Sequence, residues 1–415
     1  MKNVLEYLEK SAADYPFKIA AADDKKECSY QELIRDAKKI GTALSRRFTV
    51  NSPVPIFMEK SVDTLKLFFG AVYAGCFYVL LNPELPSVRI GHIAETLEAK
   101  LIVTEKARTD ALKEILPQAE VITFEELTCE ESDENTLLSI RENMIDTDPL
   151  YANFTSGSTG VPKGVLISHR SVIDFINNFT QIFSITQEDV IGNQAPFDFD
   201  VSVKDIYSAV KTGATLQIIP KALFSSPASL LDHICEREIT TMIWAVSALC
   251  LISAFHGLDY KVPEKVNKIL FSGETMPRKH LDNWMNALKN AEFVNLYGPT
   301  EITCNCTYHK VQRDRDYADG LPIGKAFPNE RVFLLNDENN IITKPGVTGE
   351  ICVSGTALGL GYYNNPEQTN SRFVQNPANK NYIEPIYRTG DLAYYGENND
   401  LYFACLLYTS PSPRD

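Results

Sequence analysis

The sequence predicts an α/β fold: a large lobe of helix-covered, mainly parallel sheets, followed by a small antiparallel β subdomain. Three observations carry this. Short apolar runs alternate with helix-like stretches through roughly the first 300 residues, the pattern of strands joined by crossover helices. After about Gly320 strands follow one another with tight turns between them and no helix of length. At 415 residues the chain is too long for one ordinary core. The expected division is 1–320 for the α/β core with two sheet subdomains, 321–404 for the small β subdomain, and 405–415 as a tail that fits neither pattern.

The elements follow in order. "SYQELIRDAKKIGTAL" opens with Ser29 and Glu32 at capping-box spacing, a helix start. "SVDTLKLFFGAVYAG" has apolar residues at helical spacing, with Gly75 as its stop. "FYVLLN" and "KLIVTE" are buried strands separated by the helical "SVRIGHIAETLEA". The alternation continues through "DVIGNQAP", "SVKDIYSAVKTG", "ATLQIIP", "ASLLDHICERE", "KILFSG" and "KHLDNWMNALK". "ERVFLLND", "GEICVSG" and "DLYFA" are then the strands of the β subdomain, with turns such as "KPGVTG".

Composition narrows the function. The net charge of -14 leaves no basic surplus for a nucleic-acid backbone. The N-terminus carries charges throughout and is neither a signal peptide nor a membrane span. The nine cysteines are scattered, and Cys304 and Cys306 stand too close for a zinc pair. Reduced thiols and a cytoplasmic location are expected, without nucleic-acid or membrane partners.

The stretch "NFTSGSTGVPKGV", Asn153 to Val165, reads as a phosphate loop. Glycines let backbone N–H groups converge on an anion, serine and threonine add hydroxyl donors, and Lys163 adds a mobile cation. It is not the P-loop of the nucleotide triphosphatases. Pro162 and Gly164 break that spacing, and a strand rather than a helix follows. "GLGYYN" likewise lacks the last glycine of a dinucleotide-binding turn.

"FTSGSTGVPKG" resembles the signature loop of the adenylate-forming enzymes: acyl-CoA synthetases, luciferases and adenylation domains of nonribosomal peptide synthetases. "NLYGPTE", "GEICVSG" and "YRTGDL" are similar to that family's later motifs, in order, and "SYQEL" and "YAGCFYVLLNPELP" to its earlier ones. The resemblance covers about residue 1 to Ala404. It implies ATP and Mg²⁺ as cofactors and an acyl-AMP product passed to a thiol. Thr155, Ser156, Gly157, Ser158, Thr159, Gly160 and Lys163 would close on the β- and γ-phosphates. Tyr297 would stack on adenine, Thr300 would contact the α-phosphate, Glu301 would hold Mg²⁺, and Asp391 would accept from the ribose hydroxyls. Gly273, Glu274, Asn295, Leu296, Gly298 and Pro299 complete the expected nucleotide site, with Lys163, Thr300 and Glu301 as its catalytic residues. Taken singly, each residue also has a plain structural reading: a core aromatic, a helix-end charge or a turn.

"PFDFDVSVKDIY" is similar to the segment of amino-acid-activating members that sets a carboxylate against the substrate ammonium. The register gives that role to Asp200, with Asp198 as competitor and helix capping as the alternative. The implied pocket is Asp200, Val201, Lys204, Trp244, Leu270, Ser272, Leu296, Cys304 and Asn305. Lys204 is either a solvated helix lysine or a partner for an acidic side chain. The segment and "LFSGETMP" resemble the D-alanine–D-alanyl carrier protein ligases, so D-alanine is the leading substrate and a carrier protein with a phosphopantetheine arm the partner. An acyl- or aryl-CoA synthetase and a non-catalytic nucleotide-binding remnant remain open. "CLLYTSPSPRD" resembles nothing in the family, whose C-terminal lobe carries a catalytic lysine. The expectation is a truncated chain that binds ATP and Mg²⁺ but forms adenylate slowly.

Overall fold

The computed structural model describes residues 1–156, 161–318 and 320–406, with side chains through 404. Gly157, Ser158, Thr159, Gly160 and the tail beyond 406 lie outside the described residues. The chain forms two compact units: Met1–Pro220 with Gly359–Asn365, and Lys221–Leu358 with Pro366 onward. The change of pattern near Gly320 falls inside the second unit.

The first unit is built on two sheets. One runs in the order Gly361–Tyr362, Lys163–Ser168, Pro149–Thr155, Phe77–Leu80, Pro53–Phe57, Leu101–Thr104, Glu120–Thr123. Its last five strands are parallel, and Pro149–Thr155 turns antiparallel to Lys163–Ser168. In the other, Val190–Asn193, Thr215–Ile218 and Ile19–Ala22 run parallel and Glu27–Ser29 closes antiparallel. The apolar runs form these strands because parallel strands are covered on both faces and read as continuous hydrophobic stretches.

The helices follow the sequence signals. Tyr30–Ser45 begins at the expected capping box: Ser29 N donates to Glu32 Oε2 at 2.9 Å, and Glu32 N returns to Ser29 Oγ at 3.3 Å. Val62–Tyr73 buries ten of its twelve residues, so it is an interior helix rather than an amphipathic cover. Each fully buried Phe on it, Phe68 and Phe69, contributes roughly 2 kcal/mol. The two helices cross closely. A Cβ on Gly41 would meet Tyr73 Cβ at 2.5 Å, and one on Gly70 would meet Ile40 Cγ2 at 2.3 Å. Phe68 stacks on Tyr78 with ring centres 4.0 Å apart, and the Tyr78 hydroxyl meets that of Tyr207 at 3.0 Å.

The second unit has parallel strands Thr241–Ala245, Lys268–Ser272 and Glu292–Tyr297, extended antiparallel by Thr307–Lys310 and Lys325–Ala326. Its other sheet is wholly antiparallel: Ile341–Ile342, Glu330–Leu335, Thr348–Gly355, Pro385–Tyr395 and Phe373–Gln375, with Leu401–Leu406 also on Pro385–Tyr395. Among the described residues no helix is long and apolar enough to cross a membrane.

Several titratable groups are fully enclosed in the first unit, a histidine among them. His169 is 0% exposed at the start of the helix His169–Ile182. Its Nδ1 accepts from Val4 N at 3.4 Å, and its Nε2 has no hydrogen-bond partner among the described residues. Burial, helped by the charge of Arg141, lowers its pKa from 6.5 to about 3. The unfolded chain therefore takes up this proton first. The contribution of neutral His169 is complete above pH 6.5 and is lost as pH falls toward about 3. Melting temperatures across this window should fall less for His169→Gln than for the unsubstituted chain. Equal falls in the two proteins would show that His169 carries none of the acid sensitivity.

Candidate active site

In the first unit the expected phosphate loop joins two antiparallel strands. Thr155 stands opposite Lys163, and Phe154 opposite Gly164. The flanking residues therefore end a hairpin ladder, and a strand rather than a helix follows the loop, unlike a P-loop. Thr155 and Ser156 sit at its entry. The Thr155 hydroxyl is buried with no hydrogen-bond partner among the described residues, which suits a donor held for an anion. At the exit Lys163 Nζ donates to the Tyr362 hydroxyl at 3.0 Å and lies 4.5 Å from the centre of that ring.

The same unit carries the first half of the expected substrate pocket. Asp200 immediately precedes the helix Val201–Thr212, has helical φ and ψ, and makes no side-chain cap bond to it. The capping alternative is therefore not realised. Asp198 accepts from Asn82 Nδ2 at 3.0 Å, and burial pushes its carboxyl above the usual range. Lys204 is 0% exposed, so it is not a solvated helix lysine. Beside it Asp205 is also 0% exposed and accepts from Asn193 Nδ2 at 2.6 Å.

A cluster that the sequence did not signal supports this segment. Lys60 Nζ donates to Gln194 O at 2.9 Å, Asn193 Oδ1 at 3.1 Å and Asn193 O at 3.3 Å. Burial lowers its pKa to about 8 and raises that of Asp205 to about 7, opposed in Asp205 by the Asn193 bond and the charges of Lys204 and Lys60. A buried cation is stable only with such acceptors around it. Nothing in "MEKSV" announces this, because all of Lys60's acceptors lie more than 130 positions further along the chain.

In the second unit the remaining residues converge on the ends of parallel strands. Trp244 is fully buried on Thr241–Ala245, its ring 5.4 Å from that of Phe224 in an edge contact. Leu270 lies midway along the next strand and Ser272 ends it; Gly273 follows at φ +94° and Glu274 is exposed. Asn295, Leu296 and Tyr297 end the third, and Asn295 Nδ2 donates to Pro322 O at 2.8 Å. Gly298 and Pro299 then lead into a short turn, Thr300–Ile302, where Glu301 is only 5% exposed. Thr303 and Cys304 follow at φ +56° and +73°, left-handed backbone that costs free energy for non-glycine residues. Cys304 and Asn305 are buried beside them.

Tyr297 and Asp391 face each other: the phenol donates to Asp391 Oδ2 at 2.5 Å. Burial pushes the Asp391 carboxyl up against the pull of that bond, and the negative charge of Glu301 adds to the push. Two carboxylates that feel each other in a buried setting favour a cation or a hydrogen-bond donor nearby. A single carboxylate suits Mg²⁺ that also binds substrate phosphates. No cluster of three or more metal-binding side chains exists among the described residues.

Tyrocidine synthase 1 of Brevibacillus parabrevis is 28% identical over 94% of this chain, and bacitracin synthase 1 of Bacillus licheniformis 29% over 97%. This chain spans 35% and 7% of those proteins. Zwittermicin A synthase ZmaJ of Bacillus cereus is 29% identical over 96% of the chain, which spans 75% of it. The same fold occurs in the AMPPNP-bound form of the nonribosomal peptide synthetase FmoA3, with TM-score 0.87 and 23% identity over 97% of this chain and 42% of that one. It occurs also in holo-PA1221, a nonribosomal peptide synthetase protein containing adenylation and PCP domains, with TM-score 0.86 and 23% identity over 98% and 68%.

The turn at Gly298 gives a direct test of the second unit's geometry. A Cβ there would meet Asn305 Cα at 2.5 Å and Cys306 N at 2.7 Å, both backbone. Gly298→Ala should displace the turn that carries Thr300 and Glu301, weakening nucleotide binding about tenfold or more and lowering the melting temperature. Unchanged ATP affinity by titration calorimetry would separate this turn from the nucleotide. The hairpin loop, the Tyr297–Asp391 pair and the Gly298 turn are the parts expected of an adenylate-forming enzyme. The family model of the AMP-binding enzymes matches residues 8–363, and this chain belongs to that family.

Proposed function

We propose that this chain activates an amino acid with ATP as the aminoacyl-AMP, for transfer to the phosphopantetheine thiol of a carrier protein, with D-alanine the leading substrate. The observation that carries the amino-acid reading is Asp200: a carboxylate immediately before a largely buried helix, whose side chain makes no cap bond to that helix. A carboxylate of this kind is the natural partner of a substrate ammonium. The relatives above, named as synthases of tyrocidine, bacitracin and zwittermicin A, support the same reading.

In this mechanism the substrate carboxylate oxygen attacks the α-phosphorus, and the bond from that phosphorus to the pyrophosphate oxygen breaks. Catalysis is positioning and charge stabilisation. Thr155 through Gly160 and Lys163 hold the β- and γ-phosphates, and Thr300 contacts the α-phosphate. Tyr297 stacks on adenine. The ribose hydroxyls replace the phenol as donors to Asp391, since a carboxylate accepts at both oxygens. Gly273, Glu274, Asn295, Leu296, Gly298 and Pro299 line the nucleotide. Glu301 is the ligand for Mg²⁺, which supplies charge neutralisation at the phosphates when bound.

The further substrate residues in this reading are Val201 in the first unit and Trp244, Leu270, Ser272, Leu296, Cys304 and Asn305 in the second. The charge of Lys204 favours the ionised form of its buried neighbour Asp205, against the larger effect of burial.

Amino-acid-dependent exchange of labelled pyrophosphate into ATP tests this. A panel of proteinogenic amino acids and D-alanine should show exchange with one or a few small members. Asp200→Ala should abolish it, by roughly a hundredfold or more, because the ammonium is left without its partner. Exchange supported by fatty or aryl acids but by no amino acid, and indifferent to Asp200→Ala, would establish an acyl- or aryl-CoA synthetase instead.

A further inference from the structure

The segment Gly359–Asn365 comes from late in the sequence but packs as part of the first unit. Its two-residue strand, Gly361–Tyr362, adds to the free edge of Lys163–Ser168, with Gly361 opposite Leu166 and Tyr362 opposite Val165. Leu360 N donates to Leu166 O and Tyr363 N to Gly164 O, each at 2.8 Å. The segment is fastened on its far side as well. The Tyr363 ring meets Phe77 edge-on at 5.5 Å, and Asn364 Nδ2 donates to Thr96 O at 3.0 Å.

The register decides what Tyr362 reaches. Side chains alternate faces along a strand, so Lys163 and Val165 share one face. A residue opposite Val165 is the diagonal neighbour of Lys163, within reach of an aromatic ring and a long side chain. Tyr362 uses that reach twice: its hydroxyl accepts from Lys163 Nζ at 3.0 Å, and its ring lies 4.5 Å from the same ammonium. Tyr362 itself is only 5% exposed, so its own position is set by packing. A lysine held by a fixed ring has lost much of its rotamer freedom before any anion arrives.

We propose that Tyr362 is the positioning residue of Lys163, fixing the ammonium at the exit of the phosphate loop where it meets the nucleotide's terminal phosphates. The phosphate part rests on the function proposed above; the hold of Tyr362 on Lys163 does not. The strand Gly361–Tyr362 is then a working part of the nucleotide site, contributed from some 200 residues beyond the loop.

Two measurements on the full chain test it, with Tyr362→Phe and Tyr362→Leu. Phe keeps the ring and removes the acceptor, so the strand stays packed; thermal melts confirm folding. In the first, brief acetylation with acetic anhydride is read by mass spectrometry, with exposed Lys25 as internal reference. Lys163 should react several-fold faster in Tyr362→Phe than in the unsubstituted chain, and faster still in Tyr362→Leu. In the second, the apparent KM for ATP in pyrophosphate exchange should rise about tenfold in Tyr362→Phe, while the KM for the amino acid stays within about twofold. Lys163 acetylation unchanged in both variants would overturn the proposal, as would faster acetylation with an unchanged KM for ATP. If the unsubstituted chain shows no amino-acid-dependent exchange, the proposed function fails, and the labelling still decides whether Tyr362 holds Lys163.

Discussion

Antiparallel pairing at the end of an otherwise parallel sheet holds the phosphate loop of the first unit. The strands Pro149–Thr155 and Lys163–Ser168 pair from Ser168 back to Lys163, and that ladder ends at Thr155 and Lys163, the residues on either side of the loop. A helix-borne P-loop would set its anion on a helix N-terminus; a hairpin loop has no such dipole to use. Its charge must come from a side chain, and Lys163 is placed where the ladder ends. Pairing of Gly361–Tyr362 on the outer edge gives that lysine a fixed neighbour, and it also covers part of an open sheet edge.

Three ionisable groups largely kept from water are handled in the same way, each with a polar neighbour of its own. Lys60 has carbonyl oxygens, Asp205 has Asn193, and Asp391 has Tyr297. These bonds are strong because the surroundings are poor in water, and the groups would be costly to bury without them. The Tyr297–Asp391 bond differs from the others in being exchangeable. In the proposed function a ribose's hydroxyl pair would offer the carboxylate the same kind of donor, so that binding would swap one satisfied state for another. Glu301 adds a second negative charge to this neighbourhood and leaves it receptive to a cation.

The strained backbone at Thr303 and Cys304 belongs to the same economy of space. Gly298 lies against the backbone of Asn305 and Cys306, so the chain must turn back on itself within a few residues. The Thr303 hydroxyl, which donates to Ala357 O at 2.7 Å, fastens the turn to the antiparallel part of the unit.

Local order is legible in the chain because its causes are local. The capping box at Ser29 and Glu32, the stop at Gly75, the strand end near Ser272, and the strands on either side of Thr155 and Lys163 each depend on neighbours a few positions away. The family, too, is readable, since its motifs are contiguous. Other features depend on contacts across long separations, and no local pattern encodes them. "GLGYYN" reads only as a failed glycine motif, yet Tyr362 meets Lys163 because two strand edges pair. Lys204 reads as either a solvated or a partnered lysine, and packing around the helix Val201–Thr212 puts it out of reach of water. Lys60 reads as nothing, because its acceptors belong to a strand end far along the chain. The sequence by itself determined which elements form and which residue types the chemistry has available. Only the tertiary structure decided which charges are buried and what holds them, because burial and hydrogen bonding are properties of neighbours in space.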